Sequence, residues 1–206
     1  MSLKKHWEEV YSTKSTNAVS WYQEHPERSL KLIHKTNLPN TASIIDIGGG
    51  ASSLVDDLIK LGYSDISVLD ISEAALNIAK ARLLSANINW IVGDITKIDL
   101  PENRYDIWHD RAVFHFLTTS EDRRKYVALL KKTLRPNGHI IMATFSENGP
   151  KKCSGLEVKR YTAKKLQKEL GTDFVLIEHT YEIHKTPFNT EQSFIYCHFQ
   201  KVLTQT

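Results

Sequence analysis

The run Ser43-Ile44-Ile45-Asp46-Ile47-Gly48-Gly49-Gly50-Ala51-Ser52-Ser53 constrains this chain more than any other stretch. A short apolar segment flows into an acid and three consecutive glycines, and a helical pattern follows. That order puts a turn without Cβ atoms at the carboxyl end of a strand, where a ligand can lie against backbone N–H groups. A second apolar run, Ile66-Ser67-Val68-Leu69, ends in Asp70, an acid suited to gripping a ribose. The pair points to a nucleoside-binding α/β domain.

The rest of the chain supports that class. Strand candidates rich in Ile, Val and aromatics lie at 43–47, 66–70, 89–92, 105–109 and 138–145. Helical stretches fall at 52–61, 73–84 and 120–134, and Ser72 followed by Glu73 reads as an N-cap and first turn. A helix is also expected from Pro26 to near Asn37-Leu38-Pro39. Such alternation implies a parallel sheet with helices on both faces. After a short helix at 162–170 the pattern changes to two strand-like runs, 174–183 and 193–199, joined by the turn-rich Lys185-Thr186-Pro187-Phe188-Asn189-Thr190. Dinucleotide-binding domains usually continue with βα units, so a terminal β-hairpin argues against a dehydrogenase. Residues 1–25 are polar with Trp7, Tyr11, Trp21 and Tyr22 interspersed, and do not read as part of a sheet.

At 206 residues the chain is expected to form one domain over 1–206. Its 41% hydrophobic and 25% charged residues are ordinary for a soluble protein. The formal charge of +3 comes from basic residues spread along the chain, which argues against a nucleic-acid partner. Cys153 and Cys197 lack metal-ligand spacing, so no metal site is expected. No signal-peptide core and no apolar run near the ~20 residues of a membrane span stand out. The expectation is a cytoplasmic protein without membrane contact, a monomer or weak dimer.

Asp46-Ile47-Gly48-Gly49-Gly50, Asp70 closing the second strand, Gly93-Asp94-Ile95 after the third and the terminal hairpin together resemble a class I S-adenosylmethionine (SAM)-dependent methyltransferase. Asp46, Gly48 and Gly50 fill that family's acid-x-Gly-x-Gly motif. The third glycine of a dinucleotide fingerprint is missing, since Ser53 stands at its place counted from Gly48. The resemblance implies SAM as cofactor and a Rossmann-like seven-stranded mixed sheet with helices on both faces and an antiparallel C-terminal β-hairpin. It divides the chain into an N-terminal helical cover (1–39), a SAM-binding core (40–145) and an acceptor-side loop with the hairpin (146–206). By the same resemblance Gly48, Gly49 and Gly50 let the backbone approach the cofactor, and Asp46 acts through its amino group. Asp70 accepts the ribose hydroxyls, Ile71 packs on adenine, Asp94 accepts the adenine amino hydrogen and Ile95 offers a backbone N–H. Plain structural readings stand beside these: a left-handed turn for the glycines, an N-cap for Asp70, an Asx turn for Asp94.

The fourth strand runs into Trp108-His109-Asp110-Arg111-Ala112-Val113-Phe114-His115-Phe116, similar to a Trp-Asp-Arg-Gly/Ala segment of thiopurine S-methyltransferase-like proteins with His109 inserted. This implies that Asp110 and Arg111 line the methionyl side. His115, Asp110 and His109 are the candidates for a catalytic base, with a packed histidine the alternative for His115. Tyr11-x-x-Lys14 followed by Ser20-Trp21-Tyr22 resembles the cover segment of small protein-lysine methyltransferases, which places Trp21 and Tyr22 over the cofactor. The chain departs from that lysine-specific group at Asp110-Arg111-Ala112. Cys153, in the Gly/Pro/Ser-containing loop 146–156, is either an acceptor-pocket residue or a small buried anchor. The expected function is methyl transfer to a small-molecule acceptor. Protein-lysine methylation, or binding of SAM or S-adenosylhomocysteine without transfer, are the alternatives.

Overall fold

Ile44, Ile45 and Ile47 are buried on both faces of one strand, as a continuous apolar run requires of a central parallel strand. The computed structural model describes residues 2–83 and 87–202. Its strands are β1 (Ser43–Ile47), β2 (Asp65–Asp70), β3 (Ile88–Val92), β4 (Tyr105–Arg111), β5 (Leu134–Phe145), β6 (Lys152–Cys153), β7 (Leu156–Glu157), β8 (Phe174–Lys185) and β9 (Glu191–Lys201). The helices are α1 (Leu3–Thr13), α2 (Glu27–His34), α3 (Leu54–Lys60), α4 (Glu73–Arg82), α5 (Ser120–Thr133) and α6 (Ala163–Leu170). Seven strands form one sheet in the order β3-β2-β1-β4-β5-β9-β8, and β6 with β7 makes a separate small hairpin. The first five run parallel, while β9 runs antiparallel to both β5 and β8. This is the expected Rossmann-like mixed sheet with its terminal antiparallel pair.

Adjacent residues of β4 serve opposite faces. Trp108 packs with Tyr126, Leu130 and Leu166 of α5 and α6, whereas Ile107 packs with Ile33, Leu54 and Leu58 of α2 and α3. Four helix starts are fixed by hydroxyl caps: Ser2 Oγ accepts from Lys5 N at 3.3 Å, Ser72 Oγ from Ala75 N at 3.1 Å, Thr119 Oγ1 from Asp122 N at 3.1 Å and Thr162 Oγ1 from Lys165 N at 3.2 Å. Each such cap stabilises a helix by about 1 kcal/mol.

Boundaries differ from expectation in physically readable ways. The helix after Pro26 stops at His34, and Asn37 turns the chain with φ +56°. β4 runs on to Arg111, and β5 begins at Leu134, with a register shift between Tyr105 and Ile107 where the longer strands meet. Residues 3–13, which carry no sheet pattern, form α1. Position 84 of the expected third helix and positions 203–206 of the expected C-terminal unit lie outside the described residues. Among the described residues no helix is long and apolar enough to cross a membrane.

Candidate functional site

The strand order reverses between β1 and β4, and in open α/β sheets a ligand crevice forms beyond the carboxyl ends at such a point. The glycine run lies there. Gly48 has φ +68° and donates its N–H to Leu69 O at 2.7 Å, which ties the turn to β2. A Cβ at Gly48 would run into Val113 Cγ2. One at Gly49 would meet Asp46 Oδ2 and lie 2.8 Å from Val68 Cγ1; one at Gly50 would meet Asp70 Oδ2 and lie 2.8 Å from Ala75 Cβ. Two of the glycines are therefore what lets two carboxylates sit flush against this turn.

Two adjoining clefts open beside Gly48. The first, about 790 Å³ with its mouth, is floored by Asp70, Ile71, Gly93, Asp94 and Ile95. The second, about 590 Å³, holds Asp46, Gly48, Gly49, Ser52, Tyr22 and His109. Tyr11, Trp21, Ile47, Gly48 and Arg111 line both clefts and form the partition between them. Gly50 lines neither and acts by making room for Asp70.

Helix α1 roofs the first cleft. Leu3, Trp7 and Tyr11, spaced four apart, share one helix face and all line it. Trp7 meets Trp21 and Phe116 edge-on, with ring centroids 5.5 and 5.2 Å apart, and Trp21 Nε1 donates to Tyr11 Oη at 3.1 Å. On the neighbouring face Glu8 reaches the start of α4. Its carboxylate accepts from Glu73 N at 2.7 Å, Ala74 N at 3.1 Å and Ser72 Oγ at 3.2 Å. With Ser72 Oγ on Ala75 N, three amides of the first turn of α4 that lack partners within the helix are satisfied, at the end where the helix dipole favours an anion. Burial opposes the Glu8 charge, yet these bonds hold its carboxyl below the ordinary range. Residues 20–23 are fastened as well: His184 Nε2 donates to Ser20 O at 2.9 Å, Arg111 Nη1 to Trp21 O at 2.9 Å and Ser53 Oγ to Gln23 O at 2.9 Å.

Apart from Gly50, the expected site residues divide into two groups. Trp21, Tyr22, Asp46, Gly48, Gly49, Asp70, Ile71, Asp94, Ile95, His109 and Arg111 converge on the two clefts. Asp70 is buried and accepts from Ser72 N at 2.8 Å through Oδ1. Burial pushes its carboxyl up to about 7, and the charges of Asp46 and Glu8 push the same way. Asp94 closes an Asx turn, accepting from Thr96 N at 3.0 Å and Thr96 Oγ1 at 2.7 Å, with Lys97 Nζ 2.7 Å from its other oxygen. Arg111 donates through Nε to Tyr196 Oη at 3.0 Å and lies over the Phe194 ring at 4.9 Å. Its Nη2 is buried without a partner among the described residues, which marks an unmet donor beside both clefts.

Asp110 and His115, expected as catalytic candidates and Asp110 also as a methionyl contact, line neither cleft. Asp110 projects to the opposite face of β4, is 0% exposed, and accepts from Val113 N at 2.9 Å, Phe114 N at 3.1 Å and Tyr126 Oη at 2.6 Å. It folds the turn after β4. His115 packs between Phe116 and Phe145, accepts from Phe145 N at 3.3 Å, and is kept neutral by burial and the nearby Arg111 charge, its pKa falling to about 3. His109, the third candidate base, has both ring nitrogens engaged, by Asp46 at 2.6 Å and Ser29 Oγ at 2.8 Å. Cys153 lines the first cleft, with burial pushing its thiol up to about 12. Sequence reasoning missed Glu8, Leu3 and Ser29. The four-residue spacing of Leu3, Trp7 and Tyr11 was the available signal for the roof.

A model of the methyltransferase domain family matches residues 44–138. Human EEF1A lysine methyltransferase 2 is 23% identical over 194 residues, covering 86% of this chain and 76% of that protein. The ubiquinone/menaquinone biosynthesis C-methyltransferase UbiE of Dinoroseobacter shibae is 27% identical over 109 residues, 50% of this chain and 42% of the relative. Among solved structures, 1,6-didemethyltoxoflavin-N1-methyltransferase of Burkholderia thailandensis, with S-adenosylhomocysteine bound, superposes with a TM-score of 0.74 at 16% identity. That match covers 98% of this chain and 88% of the other.

Proposed function

We propose that this chain is a class I SAM-dependent methyltransferase that methylates a small molecule bringing its own free lone pair. The cradle fits the cofactor: the Gly48–Gly50 turn has no room for Cβ atoms, Asp70 offers a carboxylate beside it, and Arg111 has an unmet donor. Asp70 would take the ribose hydroxyls, Ile71 and Ile95 the adenine, Asp46 the methionyl ammonium, and Arg111 Nη2 the methionyl carboxylate. Asp94, already closing its turn, would reach the adenine amino group with its remaining acceptor capacity. Trp21 and Tyr11, standing between the clefts, would wall the reacting centre.

SAM, when bound, supplies an activated methyl group on a sulfonium. The protein's share is to hold the acceptor in line and exclude water, which in favourable cases lowers a barrier by ~7–11 kcal/mol. The observation that carries the small-molecule reading is the roof, since Leu3, Trp7, Tyr11 and Trp21 close a compact, largely apolar space. The site chemistry agrees. Tyr11 and Cys153 are held protonated by burial, and Asp110 and His115 line neither cleft, so the cleft offers few groups to take a proton from a lysine. Thiolates, aromatic nitrogens and carboxylates suit such a site better than a protonated lysine.

Likeness to a lysine methyltransferase along 86% of the chain favours a second reading, in which α1 lifts to admit a lysine side chain. Methyl-tritiated SAM incubated with the protein and a fractionated cell extract separates the two. Label in fractions of low mass is expected; label confined to a protein band would overturn the first reading in favour of the second.

A further inference from the structure

We propose that His109 is a positioning residue whose work is to aim Asp46, and that Ser29 sets His109 for that task. The inference rests on the reading that Asp46 meets the cofactor's ammonium. Ser29, His109 and Asp46 come from α2, β4 and β1, are all at most 3% exposed, and form one chain of hydrogen bonds. An ionised carboxylate only accepts, so Nδ1 carries a hydrogen toward Asp46 Oδ1, while Nε2 shares a hydrogen bond with the Ser29 hydroxyl. Each group thereby fixes the next. The helix fixes Ser29, Ser29 fixes the tilt of the ring, and the ring pins one oxygen of Asp46.

The other oxygen is left for the ligand. Asp46 Oδ2 lies against the Cα of Gly49, accepts no hydrogen bond among the described residues, and its residue lines the second cleft. A carboxylate free to rotate there would lose that aim or turn toward Arg111, across the same cleft. Serine, histidine and aspartate in this order also suggest a nucleophile with its relay. The geometry argues otherwise, because Ser29 is 0% exposed on α2 and lines neither cleft. Here the relay runs in the opposite sense, from a buried hydroxyl outward to a carboxylate at the cleft.

The test compares His109→Leu, which deletes both ring nitrogens, with His109→Asn, whose amide N–H can stand near the Nδ1 position. SAM affinity is read by calorimetry, kcat at saturating SAM, and the ligand-free melting temperature for each. Loss of a hydrogen bond to a charged group at this position should weaken SAM binding about 10- to 100-fold in His109→Leu. His109→Asn should stay within about 3-fold of wild type, and Ser29→Ala should fall between. All should keep kcat within about 3-fold once saturated, because the aim of Asp46 concerns binding. Wild-type affinity in His109→Leu would overturn the proposal, as would a collapse of kcat with affinity intact, which would make His109 a base. Should His109→Leu fail to fold, Ser29→Ala and His109→Asn carry the test, and it fails if Ser29→Ala binds SAM like wild type. Absence of SAM binding by the wild type would instead remove the functional reading on which this rests.

Discussion

Burial pushes the Asp70 carboxyl up to about 7, so in the folded protein it keeps a proton that the unfolded chain gives up near the ordinary carboxylate value. The sign follows by linkage. Over that interval the folded state binds more protons, so this group's contribution to stability is present at low pH and is lost as pH rises toward about 7. Asp70→Asn should accordingly raise the ligand-free melting temperature at pH 8, by roughly 2–4 °C for each kcal/mol relieved, and raise it less at pH 5. Equal shifts at both pH values would mean that the carboxylate is not charged at a cost. Gly50 belongs to the same argument, because its missing Cβ is the room that Asp70 occupies. Gly50→Ala should displace that carboxylate and weaken SAM binding about 10-fold or more, read by calorimetry, while Gly155→Ala, where a Cβ meets nothing within 4 Å, should leave binding unchanged. The side that Asp110 takes was not legible in the sequence. β4 is buried on both faces, so its run of residues carries no alternation to say which side each one takes. His109 and Arg111 project to the cleft side, and Asp110 between them projects to Tyr126.

Helix α1 owes its place to one carboxylate and one stripe of apolar residues. Glu8 binds the start of α4 in the position an N-terminal anion would take, and the same helix start fixes Asp70 through Ser72 N. Roof and Asp70 are thus attached to one element. Glu8→Ala should loosen α1, speed proteolytic cleavage around residues 14–20, and weaken SAM binding about 10-fold, the equivalent of ~1.4 kcal/mol. Retained affinity with unchanged cleavage would show that the apolar stripe alone holds the roof. Because hydrogen bonds hold the Glu8 carboxyl low, the contact persists above the ordinary carboxylate range and is lost as pH falls through the lowered value. This element was poorly legible in the sequence. Its polar composition masks a narrow Leu3, Trp7, Tyr11 stripe, and its partner surface comes from residues more than sixty positions away. By contrast, β1, the Ser72 cap and the terminal strand pair could be read directly, since each rests on local pattern or turn chemistry.

At the scale of the whole molecule, the sheet order brings the Gly48–Gly50 turn, Asp70, Asp94 and Arg111 to one rim, and the antiparallel β9 lends Tyr196 and Phe194 to steady Arg111. Strand and glycine spacing carried the fold and half of the site. Two things remained beyond it: which side of a buried strand a residue faces, and what a distant helix covers. Both are set by tertiary packing. The apolar roof favours a small acceptor, and the cradle lies beneath it. Calorimetry of SAM with the wild-type protein and with Asp70→Ala addresses that cradle directly. One site is expected on the wild type, with an affinity about 10- to 100-fold lower without the Asp70 carboxylate. Equal affinity for the two proteins would contradict it, because the ribose would then lie somewhere other than the cleft between the glycine turn and Asp70.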